Sequence, residues 1–279
     1  MKHFKLLLAT LLAIVSASSM KALEPADLAG NYLWKYKNGD TELENSISIA
    51  VDGEKLVISN MFDEPLQATL QQNGDDAYLV IAKGQQCTTP TGYKYEVQGS
   101  TDMYNNWGTT DIKGKIGTGR VITFDYYLRA LVVEGAMAGY TVGSICSNGS
   151  TLTPLSELPS VVELPTGAIV KDYQLAYNDE NSKRKTKAVG VAIVGNDVYV
   201  KGFLDYLPEA WVKGTKVDNN WVFPANQYLG KYSYYDCYYF CNGETTFTYD
   251  SERPAYKAYD TEVFGKGAGV QQHTITNRN

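Results

Sequence analysis

"SISIAVDGEKLVISNMF" (Ser46–Phe62) and "AVGVAIVGNDVYVKGFL" (Ala188–Leu204) are two copies of one pattern. Each has an alternating apolar run, a glycine turn (Asp52-Gly53 in one, Gly195-Asn196-Asp197 in the other) and a second alternating run. Period-two alternation marks a half-buried strand, and Asp-Gly or Gly-Asn supplies the positive φ of a tight hairpin. An offset of 142 sets Gly53 on Gly195, Ile58 on Val200 and Met61 on Phe203. A duplicated hairpin therefore decides the fold.

The repeat spreads outward from this pair. "YLWKY" (Tyr32–Tyr36) matches "YQLAY" (Tyr173–Tyr177) at an offset of 141. Pro65 falls on Pro208 and Tyr78 on Trp221, both at 143. A second hairpin is read across Asn73-Gly74, with its counterpart across Asp218-Asn219-Asn220. "VITFDYY" (Val121–Tyr127) is matched to "TTFTYDS" (Thr245–Ser251) at an offset of 124 or less, which places an insertion of roughly twenty residues between Cys87 and Val121.

Helical periodicity is hard to find beyond the N-terminal region. The chain has 22 tyrosines, a residue that suits a pleated, half-buried surface. The expected class is all-β: two tandem antiparallel β-barrel or sandwich modules arising from an internal duplication. The modules are read as 23–151 and 168–279. The proline-rich "LTPLSELPSVVELPTG" (152–167) is read as a linker, since proline cannot serve a central strand. One larger barrel shared by both repeats stands as the rival architecture.

The N-terminus predicts export. Lys2, His3 and Lys5 precede an apolar run from Leu6 to Val15, followed by the small residues Ala17, Ser18 and Ser19. That is a secretory leader, cleaved between Ala17 and Ala22, and its apolar run is too short to span a bilayer. No later segment is apolar enough to cross as a helix. Removing residues 1–22 takes three lysines and no acid, which leaves 22 basic against 31 acidic residues and a net charge of −9. Such a balance disfavours nucleic acid as a partner.

"DVYVKGF", "PEAWVKGT", "NWVFPANQYLG" and "FTYD" resemble a motif series in secreted β-rich proteins of gut Bacteroidetes, some of them calycin-like, meaning small lipocalin-related barrels. The resemblance covers most of the second half strongly and the first half weakly. It implies an exported two-module protein and carries over no catalytic residue. A lipocalin has Gly-x-Trp near its first strand; "GNYLWKY" places Tyr32 there and Trp34 two residues later.

Motif chemistry is sparse. After the leader, His273 is the one histidine left, near the C-terminal end, so a histidine-based nucleophile system or zinc site lacks its usual residues. No nucleophile elbow, phosphate loop or dinucleotide fingerprint is present, and no catalytic residue, metal ligand or cofactor is assigned. Paired acids such as Asp63-Glu64, Asp75-Asp76 and Asp179-Glu180 sit in turns and read as solvated. A hydrolase using two carboxylates is the weakest reading.

Four cysteines in an exported chain suggest disulfides: Cys87–Cys146 and Cys237–Cys241 would keep the modules independent. Residues four apart on a straight strand lie about 13 Å apart, whereas a disulfide needs Cα atoms within about 7 Å, so the second bond requires a turn.

"YSYYDCYYFC" (Tyr232–Cys241) holds six aromatics in ten positions. Read as a straight strand, it places Tyr232, Tyr234, Asp236, Tyr238 and Phe240 on one face. That face suits a sugar ring or a protein partner, because tyrosine is apolar in body and polar at its tip. The function expected is non-catalytic binding of a glycan or of a cell-surface or extracellular protein. The alternative is a calycin-like carrier of a small apolar ligand. The sequence does not assign an oligomeric state.

Overall fold

The computed structural model describes residues 23–74, 76–178, 183–205, 207–239, 244–251, 255–262 and 269–277. The leader read at 1–22 lies outside them. A short 3-10 turn (Pro25–Leu28) leads into the first half. Its strands are β1 (Gly30–Asn38), β2 (Thr41–Asp52), β3 (Lys55–Ser59), β4 (Leu66–Asn73), β5 (Asp76–Ile81) and β6 (Gln86–Thr88). They continue with β7 (Lys94–Ser100), β8 (Ile112–Ile116), β9 (Ile122–Phe124), β10 (Tyr127–Val132), β11 (Thr141–Cys146) and β12 (Ser150–Leu155). The second half has β13 (Val170–Asn178), β14 (Arg184–Val194), β15 (Asp197–Lys201), β16 (Trp211–Val217) and β17 (Asn220–Phe223). It ends with β18 (Gln227–Tyr232), β19 (Tyr235–Tyr239), β20 (Thr245–Asp250), β21 (Ala255–Glu262) and β22 (Gly269–Asn277).

The fold is all-β, and each half makes its own barrel. In the first, β1 to β5, β8, β9 and β12 form a closed circuit of antiparallel neighbours. In the second, β13 to β17 and β20 curl into a wall, and β21 and β22 complete the circuit against β13. Both circuits follow one strand order and each closes on strands of its own half, so the shared-barrel alternative falls. The duplicated hairpins are β2–β3 and β14–β15. Their turns close at Asp52↔Lys55 and Val194↔Asp197, with Gly53 at φ 61° and Gly195 at φ 62°.

Three details of the sequence reading change. Leu79 and Trp221 both point inward and are fully buried, as are Ile81 and Phe223, so the offset here is 142 and Tyr78 does not pair with Trp221. A slip of one residue exchanges the faces of a strand. Thr245–Asp250 is the counterpart of β8, not of β9; the short Thr-x-Phe likeness was too small to fix register. Most of the extra chain in the first half is accordingly the excursion from Asp125 to Gly149, which carries β10 and β11. Finally, β12 reaches into the segment read as linker. Beyond Leu152 it pairs with β1 alone, so Pro154 removes no ladder bond on its other edge.

An eight-stranded barrel is just wide enough for side chains to fill. Tyr32, Trp34, Ile47, Leu56, Phe124 and Leu152 fill the first; Val189, Val198, Trp221, Phe223 and Phe247 are buried in the second. Each large apolar side chain so buried contributes about 1.5–3 kcal/mol. The Tyr32 hydroxyl donates to the Leu28 carbonyl at 2.9 Å and fixes the 3-10 turn to β1. A four-stranded sheet in the order β11, β10, β7, β6 covers the first barrel, with Tyr95, Val97, Leu128 and Ala130 joining the barrel core. His273 is not a stray terminal residue: its backbone pairs with Tyr177 in the last strand of the second barrel.

Candidate functional site

The aromatic stretch Tyr232–Cys241 is not one straight strand. β18 and β19 form a hairpin whose last pair is Tyr232↔Tyr235, so Ser233 and Tyr234 are its turn. Ser233 adopts a left-handed backbone at φ 57°, which costs a non-glycine residue on the order of 1–3 kcal/mol. Tertiary contacts offset that cost. The tip leaves the second barrel and enters the first, where Tyr234 is 5% exposed and belongs to the core with Phe62, at a ring-centroid distance of 5.5 Å. The Ser233 hydroxyl donates to the Asp63 carboxylate, which also accepts the Tyr95 hydroxyl at 2.8 Å.

Asp236 anchors the same junction. Its side chain is 2% exposed and pairs with Lys231 at 2.5 Å. It accepts the Ser46 backbone N–H at 2.6 Å and the Tyr228 hydroxyl at 3.2 Å. Its own N–H donates to Asn45 Oδ1 at 2.9 Å, and Asn45 Nδ2 donates to the Tyr36 hydroxyl at 3.0 Å. Alternation turns Asn45 and Ser46 to opposite faces of β2, yet both are buried, as expected where a second body covers the outer face.

The predicted binding face is thus divided. Tyr232 is exposed, Tyr234 is a core residue, and the Asp236 side chain is a buried interdomain anchor. Tyr238 packs on Tyr228 at 5.4 Å. Phe240 lies outside the described residues, as does Cys241, and with it the proposed Cys237–Cys241 bond. Cys237 is buried, its sulfur 3.6 Å from the Tyr235 carbonyl.

Cys87 and Cys146 are buried free thiols, which corrects the first disulfide pairing. They lie on the two outer strands of the four-stranded sheet, β6 and β11. Three strand spacings alone set them at least about 14 Å apart, beyond the roughly 7 Å reach of a disulfide. Burial pushes both thiols up from their ordinary value, away from the reactive thiolate. Among the described residues no cluster of three or more His, Cys, Asp or Glu side chains is placed to hold a metal. No helix among them is long and apolar enough to cross a membrane.

A different surface gathers groups suited to a ligand. On β10, Leu128, Ala130 and Val132 are buried while Tyr127, Arg129 and Leu131 face outward. The loop after β7, "TDMYNNWGTTD" (101–111), lies over this outer face through Trp107 and Gly108. Its shape is fixed from within: the Ser100 hydroxyl donates to the Asn105 carbonyl at 2.6 Å, and the Asp102 carboxylate accepts the Tyr104 N–H and the Asn105 amide, both at 2.9 Å. Gly108 lies so close that a Cβ would stand 2.9 Å from the Gln98 amide, and its positive φ of 70° adds to the need for glycine. Trp107 lies on Arg129, 4.3 Å from Cζ to ring centroid.

Beside the loop runs an open groove of about 600 Å³, lined by Asn38, Gly39, Met103, Tyr127, Thr141, Ser147 and Asn148. That volume falls in the range of small-ligand sites, about 300–1,000 Å³. One aromatic ring and one thioether supply apolar surface. Two amides and two hydroxyls supply donors and acceptors. Sequence reading missed these residues because it searched the densest aromatic run. The available signal was the break in the repeat: chain present in one copy and absent from the other is where a shared scaffold acquires something of its own.

Comparisons of the chain with protein-family models, with curated proteins and with solved structures give no match.

Proposed function

We propose that this chain is an exported, non-catalytic two-barrel protein that binds a glycan in the groove beside Tyr127. The carrying observation is the lining itself: the Tyr127 ring and the Met103 thioether lie among the amides of Asn38 and Asn148 and the hydroxyls of Thr141 and Ser147. A sugar presents apolar C–H faces and a rim of hydroxyls, and this lining offers a partner to each. The ordered loop 101–111 supports the reading, since a wall held by its own hydrogen bonds needs little ordering when a ligand arrives. The calycin-like resemblance and the leader read at 1–22 agree with an exported barrel protein. The side chains that fill the first barrel give the carrier alternative no comparable observation in its favour.

A glycan array probed with the purified mature protein tests the proposal. Binding to at least one glycan class is expected, and Tyr127→Ala should weaken it at least tenfold with an unchanged melting temperature. Silence across the array, or binding indifferent to Tyr127→Ala, overturns it.

A further inference from the structure

Arg129 is a cation that, among the described residues, makes no ion pair and meets the Glu96 carboxylate only through Gln98. It stands two residues along β10 from Tyr127, on the same face of the sheet, about 7 Å away by strand geometry. Its Nε and Nη2 both donate to Gln98 Oε1, at 3.0 and 2.9 Å, and Gln98 Nε2 donates on to Glu96 Oε1 at 2.9 Å. Trp107 covers one face of the guanidinium. Gln98 and Trp107 together fix the plane of the fork. Among the described residues no carboxylate comes within ion-pair distance of Arg129, and Nη1 makes no hydrogen bond. Partial burial already disfavours its charge. Elsewhere on this sheet the pattern differs: Lys94, on β7, has Glu134 at 3.2 Å.

A planar, oriented guanidinium with an unused edge is a receptor for a carboxylate, which it can hold through two parallel charge-assisted bonds. The mature chain's net charge of −9 argues against general anion attraction, so any preference for an anion must be local. We propose that the glycan bound beside Tyr127 is acidic, and that Arg129 holds its sugar carboxylate while Tyr127 meets the ring. This rests on the glycan reading above and names its substrate class: saccharides bearing a carboxylate, whether a uronic or a sialic acid.

Calorimetric titration of the mature protein with two matched pairs tests it: trigalacturonate against galactotriose, and sialyllactose against lactose. In at least one pair the acidic member should bind about tenfold or more tighter, the worth of a charge-assisted contact. The advantage should shrink as salt is raised from low to several hundred millimolar. Arg129→Gln should abolish the difference in affinities within the pair, while Arg129→Lys, which keeps the charge but loses the fork, should retain part of it. The pair that responds identifies the source of the carboxylate. Equal affinities within both pairs, or a preference that survives Arg129→Gln, overturns the acidic assignment while leaving the glycan groove standing. No binding to any of the four probes overturns the acidic assignment, and silence across the glycan array as well overturns both. Should Arg129→Gln fail to fold, the wild-type pairs and their salt dependence decide alone.

Discussion

The hairpins β6–β7 and β18–β19 occupy the same place in the two barrels, between corresponding wall strands, yet they end in opposite situations. Both start from the same clamp. Gln85 accepts the Gln67 N–H and donates to the carbonyls of Gln67 and Ala82; Gln227 does the same with Lys213 and Pro224. From that shared root β6–β7 joins β10 and β11 in a sheet over its own barrel, with the other face left outward. Its counterpart puts its tip into the neighbouring barrel. The two halves share the wall and the clamp and differ in their excursions. One carries the candidate binding surface, and the other holds the two barrels together.

Alkali should break this junction most strongly. Desolvation by burial pushes the phenols of Tyr36, Tyr95 and Tyr234 above their ordinary 10.0, and all three belong to the first barrel's core. Tyr239, in the second core, is raised for the same reason. The native state therefore holds these protons more tightly than the unfolded chain. Below pH 10 both states are protonated and nothing changes. Above pH 10 the unfolded chain ionises first, so stability falls by about 1.4 kcal/mol per pH unit for each tyrosine, or about 4 kcal/mol for the three. Denaturant midpoints from pH 8 to 11 should be flat to about 10 and then drop steeply; a flat profile to pH 11 breaks the argument.

Tyr234→Ala removes the inserted ring and opens a hole in a core to which the hairpin otherwise adds only the partly buried Tyr235. A loss of about 3–5 kcal/mol is expected, the range for buried aromatics. The denaturant curve should also lose its single transition, since the first barrel then loosens while the second retains its own core. A Tyr234→Ala protein that melts like wild type would show that the tip is not inserted. Asp236→Asn is milder, at about 3 kcal/mol: it leaves Lys231, itself mostly buried, without its charge partner while one oxygen can still accept the Ser46 N–H. Measured against Lys231→Met and the double variant, it should show coupling between the two positions.

How much of this was legible follows from where the information lies. The wall strands were readable because alternation and glycine turns are local, and duplication displayed them twice. The hairpin β18–β19 was not. Tyr234 is a poor turn residue and Ser233 takes a left-handed backbone that favours glycine, and Asp63 and the first core hold them there, contacts some 170 residues away. Sequence reading credited Tyr234 and Asp236 with importance and missed its kind: what looked like a ligand's aromatic ladder is the protein's own interdomain contact. The groove was hidden differently. Asn38, Met103, Tyr127 and Ser147 come from four separate segments, and no spacing rule links them.

The finest test compares two tyrosines. Tyr104 and Tyr234 both sit in excursions between corresponding wall strands, but Tyr104 is 84% exposed and Tyr234 only 5%. The Tyr104 backbone is what the loop uses, through its N–H to Asp102. Tyr104→Ala keeps that bond and uncovers almost nothing, so its stability should stay within about 0.5 kcal/mol of wild type. Thermal melts of the two alanine variants, run side by side, separate a ring that is displayed from a ring that is built in. If Tyr104→Ala also costs several kcal/mol, the outer face of the first barrel is packed against something, and the surface proposed for the glycan is not free to bind one.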